Sequence, residues 1–268
     1  MTFMRKRPGG RAGRLPHDPA ALTRLIEVEH RLEMLHSALD FTGESTPVGI
    51  IALAFGHRAR SLYLGVLHAA EGPSEASAQV VLRVLVEQTI RLPWILLDRE
   101  VHPVLWKAET DRHVRNLIKD GPSKTGSGLA AAIAAQVSVD VHEGLDRGVT
   151  EARALALAKG VVGVGRNGSL LPGLAVMTEQ VGTPEAKEAY HLAYSMISGW
   201  THTGAGAIGM IVTQEGVKFA NGPVEDTAPI RSMAAAAYLY MLEIVSREAG
   251  LSIENDAGAL RRQLLAPS

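Results

Sequence analysis

Between Glu75 and Asp98 the chain reads EASAQVVLRVLVEQTIRLPWILLD. Wound as a helix, this segment turns Val, Leu and Ile toward nearly every direction. A helix without a broad polar face has to be surrounded by other elements, so it predicts the central helix of a bundle. Pro93 lies inside it. Proline removes an amide donor and crowds the preceding turn, so the helix is expected to kink there or split in two.

The flanking sequence agrees with a helical surround. Apolar residues make up 46% of the 268 positions, and few of them are aromatic. The apolar mass is mostly Ala, Leu and Val, and Ala and Leu are strong helix formers. Helices are predicted from about Pro19 to Asp40, Thr46 to Ala70, Glu75 to Asp98, Pro103 to Lys119 and Ala228 to Ala249. Asp18, Ser74 and Thr183 stand where caps belong, and Pro19 and Pro184 occupy first helical positions. Two further helices are read from LAAAIAAQVSVDVHEGLDRG and TEARALALAKG, with DGPSKTGSG before them as a flexible linker. A short helix precedes Gly182, and an amphipathic piece, Asn255 to Leu265, ends the chain. MIVTQEGVKFANGP is the one stretch suited to a small β-hairpin, turning near Glu215–Gly216. Strand and helix do not alternate, which argues against a parallel sheet. The expected fold is all-α, an irregular multi-helix bundle with at most one hairpin near 210–220. It forms a single domain, 17–268, after a basic arm, 1–16.

Several function classes drop out. The chain has no cysteine, which excludes disulfides, thiolate catalysis and cysteine-ligated metals. Charge interrupts every apolar run before the ~20 residues that a membrane-spanning helix needs. The N-terminus lacks the apolar stretch of a signal peptide. The expectation is a soluble, cytoplasmic protein without a membrane association. Net charge is −1, yet Arg5, Lys6, Arg7, Arg11 and Arg14 crowd a segment that contains no acid. Such an arm either solubilises the chain or reaches phosphates, RNA included.

Two polar stripes stand out. Arg83, Glu87 and Arg91 recur at four-residue spacing on the central helix. They form either a narrow exposed stripe or a polar seam against another helix, because Arg and Glu are rarely buried unless paired. Tyr190, Tyr194, Ser198 and His202 also recur every fourth residue, just before the small-residue run TGAGAIG. Tyr hydroxyls are commonly bonded when half-buried, and His titrates near neutrality. These four line either a solvated face or a ligand wall. His202, Arg83 and Glu87 are the catalytic candidates; Tyr190, Tyr194, Ser198 and Arg91 are the ligand-binding ones.

Other motifs carry less. Glu27-x-x-His30 and Glu33-x-x-His36 have the spacing of di-iron bundles, but both lie on one helix at different angles. They read as a charged outer face, and no metal or other cofactor is expected. GVGRNG, Gly163–Gly168, matches a dinucleotide fingerprint but lacks the strand before it and the helix after it.

Arg83-x-x-x-Glu87 on an apolar helix, then LLPGL…VG, then the stripe from Tyr190 to His202, resembles a helical bacterial family catalogued as a domain of unknown function, number fifty-six seventy-seven. The resemblance covers roughly residues 45 to 215. It implies that Arg83 and Glu87 converge with Tyr194, Ser198 and His202 from another helix. Some such families look distantly like HEPN domains, several of which are ribonucleases or toxin components. Those nucleases pair an Arg with a His shortly after it. Arg83 and Arg91 have no His at that spacing, and the arginine nearest before His202 is Arg166. Two functions follow as expectations. One is a binding or interaction module that holds a small polar or anionic ligand in the seam. The other is a HEPN-like, metal-independent ribonuclease or hydrolase with His202 as acid or base. The Ala-rich stretch Met233–Met241 suits tight packing against a second copy.

Overall fold

The computed structural model describes residues 19–40, 46–71, 75–125, 139–161, 168–192, 210–213, 216–219 and 227–266. Among them the chain is all-α apart from one hairpin. The helices are α1 (Pro19–Leu35, continued by a 3₁₀ turn, His36–Asp40), α2 (Pro47–Ala70), α3 (Glu75–Leu97), α4 (His102–Thr125) and α5 (Val139–Ala158). They continue with α6 (Leu174–Val181), α7 (Pro184–His191), α8 (Ala228–Ala249) and α9 (Glu254–Leu265). The hairpin pairs β1 (Met210–Thr213) with β2 (Gly216–Phe219) antiparallel, Met210 opposite Phe219. The basic arm lies outside the described residues.

Helix α3 is central, as its composition requires. Leu82, Leu85, Val86, Ile90, Leu92, Trp94 and Ile95 are all buried. It packs against α2 and α8, which also pack on each other. Gly56 permits the close approach of α2 and α8: a Cβ there would stand 3.0 Å from Leu39 and 3.1 Å from Val245. Helices α1 and α9 cover the far side of α8, and α6 and α7 lie on α3. Pro93 does not split α3, which runs unbroken through it. Trp94 explains the tolerance. Its ring is fully buried, stacked on the His102 imidazole with 3.8 Å between centroids, and its Nε1–H donates to Gln180 of α6 at 2.6 Å. His102 Nδ1–H donates in turn to the Trp94 carbonyl at 2.6 Å. Contacts on three elements outweigh one lost amide.

Two boundaries depart from the sequence reading. Helix α4 continues through Gly121 and Pro122 to Thr125, where a linker is predicted. Helix α5 is continuous across Gly148, where two helices are predicted. Around Gly148 packing overrides local propensity. Val149, Ala152 and Ala156 are buried, α5 lies along α4, and a helical Gly costs only ~1 kcal/mol.

Two polar fastenings hold the connections. Glu109 of α4 is buried and accepts Arg112 Nε at 2.9 Å and Nη2 at 2.6 Å. It also accepts the Leu170 amide at 2.7 Å and the Ser169 hydroxyl at 3.3 Å, tying the 168–173 loop to α4. Burial pushes its carboxyl pKa up, but the Arg112 pair and the Leu170 amide outweigh burial and hold it below the usual range. At the other end, Ser246 of α8 is fully buried. Its hydroxyl donates to the Leu251 carbonyl at 2.7 Å and accepts the Ile253 amide at 3.2 Å, closing the turn into α9.

Candidate functional site

The spacing Val84, Glu87, Gln88, Arg91 places four side chains on one face of α3. That face forms a wall of a cleft of about 550 Å³. Ala54, Phe55 and Arg58 of α2 and Trp106 and Thr110 of α4 supply the other walls. The Phe55 and Trp106 rings touch across the α2–α4 junction, 5.2 Å between centroids. Gln88 is buried and held by its Nε2–H, which donates to the Val84 carbonyl at 3.1 Å.

Arg83, Glu87 and Arg91 do not form a freely exposed stripe; they pair along α3. Glu87 Oε1 accepts Arg83 Nε at 3.2 Å, and Oε2 accepts Arg91 Nη2 at 3.3 Å. Each carboxylate oxygen thus faces one guanidinium along α3 itself. The Arg83 and Glu87 side chains are 16% and 17% exposed, and Arg91 is 32% exposed, so this is a half-covered seam. Arg91 Nε is buried and has no hydrogen-bond partner. Arg58 is exposed in the cleft and has no carboxylate within ion-pair distance among the described residues. The lining therefore carries two guanidiniums against one carboxylate that is already shared with Arg83. Its described walls contain no His, Ser or Lys; Thr110 supplies a hydroxyl and Glu87 a carboxylate.

Of the residues singled out in the sequence, Glu87 and Arg91 line the cleft, and Arg83 is joined to it through Glu87. Tyr190 sits half-buried on α7 and does not line it. Tyr194, Ser198 and His202 lie outside the described residues. Arg58, Trp106 and Thr110 also line the cleft, and no motif in the sequence marks them. Arg58 had a weak signal, a charged interruption (His57, Arg58, Arg60) in an otherwise apolar helix. Trp106 and Thr110 had none, because an i, i+4 pair on a charged helix reads as surface.

Of the two Glu-x-x-His repeats, Glu27 turns to α9 and accepts from Gln263 at 3.2 Å, while His30, Glu33 and His36 all line one cavity between α1 and α2. The outer-face expectation fails for His36, which is only 6% exposed. Its 3₁₀ turn folds it inward beneath α2. Among the described residues no group of three or more His, Asp or Glu is placed to hold a metal ion. No described helix is long and apolar enough to cross a membrane.

No family model matches the chain, and no curated protein or solved structure matches it either.

Proposed function

We propose that the α2–α3–α4 cleft binds a small anion that carries a planar apolar body, and that the protein acts as a ligand-binding module. Arg58 and Arg91 would clamp the carboxylate or phosphate, and Trp106 with Phe55 would receive the ring. The observation that carries this reading is Arg91 Nε, a buried donor without an acceptor in a cleft whose cations outnumber its carboxylates. A guanidinium already oriented through Nη2 by Glu87 presents its remaining donors in a fixed plane, which suits a carboxylate or phosphate. The ribonuclease alternative rests on His202, and no observation among the described residues favours it.

The test uses benzoate, inorganic phosphate and AMP as probes in calorimetric titrations. Benzoate or AMP should bind more tightly than phosphate, which lacks the ring. Arg91→Lys keeps the charge but loses the forked geometry, and should weaken binding about tenfold. Trp106→Leu should remove the preference for the ringed probes. Unchanged affinity in Arg91→Lys, or no binding of any probe by the folded protein, refutes the proposal. RNA cleavage that disappears in His202→Ala would instead establish the alternative.

A further inference from the structure

A larger cavity, about 710 Å³, opens between α1, its 3₁₀ turn and α2, away from the cleft above. Its base is aromatic. Tyr63 stacks on Tyr238, 5.1 Å between centroids, and His36 meets Tyr238 at 5.4 Å and Tyr63 edge-on at 6.3 Å. His36 and Tyr238 are both more than nine-tenths buried, and His36 Nε2 and Tyr238 Oη have no hydrogen-bond partner. Buried polar atoms are normally satisfied, so two orphans in one cluster call for an explanation.

The charges around the cavity are arranged unusually. Glu29 is occupied, because Arg231 of α8 donates to both of its oxygens. Glu33 and Arg60 line the same cavity, yet neither has an opposite charge within ion-pair distance among the described residues. Arg60 is half-buried, with no guanidinium nitrogen that is both buried and unsatisfied, so its head stays available to a ligand. Ile26 and Leu64, at the rim, are 54% and 44% exposed. The cavity thus offers a carboxylate and a guanidinium that do not pair with each other, beside His30 and apolar surface.

We propose that this cavity is a second ligand site, for a small zwitterion of the amino-carboxylate class with an apolar side chain. Its ammonium lies at Glu33, its carboxylate at Arg60, and its side chain over Ile26 and Leu64. A ligand carrying both charges satisfies both groups at once, whereas a simple anion or cation leaves one of them unpaired and faces a like charge. The site shares no residue with the α2–α3–α4 cleft, so the two proposals stand or fall separately.

The experiment titrates the full chain with L-leucine and with L-leucyl-L-leucine, which present short and long charge separations. Leucinamide and N-acetylleucine serve as analogues that each lack one charge. Calorimetry reads affinity, and the His36 ring cross-peak in NMR reports location. At least one zwitterion should bind and move the His36 peak, with both analogues about tenfold weaker, the loss expected for one charge-assisted contact. Arg60→Gln should erase the difference between leucine and leucinamide, and Glu33→Gln the difference between leucine and N-acetylleucine. Glu33 is exposed, so its variant tests the site without disturbing the core. No binding of either zwitterion by protein with an unchanged circular dichroism spectrum overturns the proposal. Equal binding of the analogues, or binding that leaves the His36 peak in place, overturns it too.

Discussion

Glu109→Ala removes a carboxylate that fastens α4 to the 168–173 loop. The loss has two parts. The Leu170 amide, donating at 2.7 Å to a side chain only 11% exposed, is left buried without an acceptor, at a cost of ~1–3 kcal/mol. Arg112, 14% exposed, loses its two-point partner. Breaking a buried pair costs ~3–5 kcal/mol when the survivor stays trapped. Arg112 lies near enough to the surface to turn toward water, which places the total near the low end, ~3 kcal/mol. For a chain of this size that corresponds to a fall in Tm of roughly 6–12 °C. The sign with pH is fixed by the depressed Glu109 carboxyl. Its contribution is complete above the unfolded-state pKa of ~4.3 and is lost as pH falls through the lower folded-state value. Thermal melts of wild type and variant at pH 7 and on descending toward pH 3 should therefore converge. Asp111→Ala is the control, since its partner Lys107 is 74% exposed and such a pair contributes ~0.5 kcal/mol or less. A Glu109→Ala Tm within about 2 °C of wild type, or a gap that widens in acid, would refute the reasoning.

Gly56→Ala should destabilise by ~1 kcal/mol in urea titration, since crowding Leu39 and Val245 outweighs the gain in helix propensity. Gly144→Ala in α5 meets nothing within 4 Å and should stabilise by up to ~1 kcal/mol in the same assay. Trp94→Phe should cost ~2 kcal/mol by losing the Gln180 hydrogen bond and buried ring area, seen as a lower urea midpoint at unchanged slope. Thr46→Ala removes the N-cap of α2, whose hydroxyl accepts the Gly49 amide at 3.0 Å, and should lower stability by ~1 kcal/mol in the same titrations.

The helices were legible where composition and punctuation agreed. The α3 run could not be anything but central, and Thr183–Pro184 and Gly182 marked real helix ends. Gly148 misleads because it is a local signal, and the α4–α5 packing that overrides it is made by residues far apart in sequence. The Arg83–Glu87–Arg91 stripe was visible by its period, but not its partners. Whether Glu87 bonds along its own helix or across to another depends on side-chain conformation, which no spacing encodes. Arg58 and Trp106 join the cleft through the crossing of α2 and α4. Glu109 was invisible for a related reason: Glu109-x-x-Arg112 looks like an ordinary surface pair until the Leu170 amide is brought against it.

Ser246 has a consequence for how the molecule comes apart. Lifting α9 away would strand a buried hydroxyl that both donates and accepts across the turn. It would also sever the two-point bond of Arg261 to Glu243 on α8 and uncover Ala257 and Leu260. Terminal helices usually fray, but this one is tied into the central layer at both its start and its middle. Its amides should exchange with solvent through the same opening event as those of α8, so α9 belongs to the last cooperative unit to unfold. Hydrogen exchange along α9 at the rate of a fraying end would show that the tether does not hold.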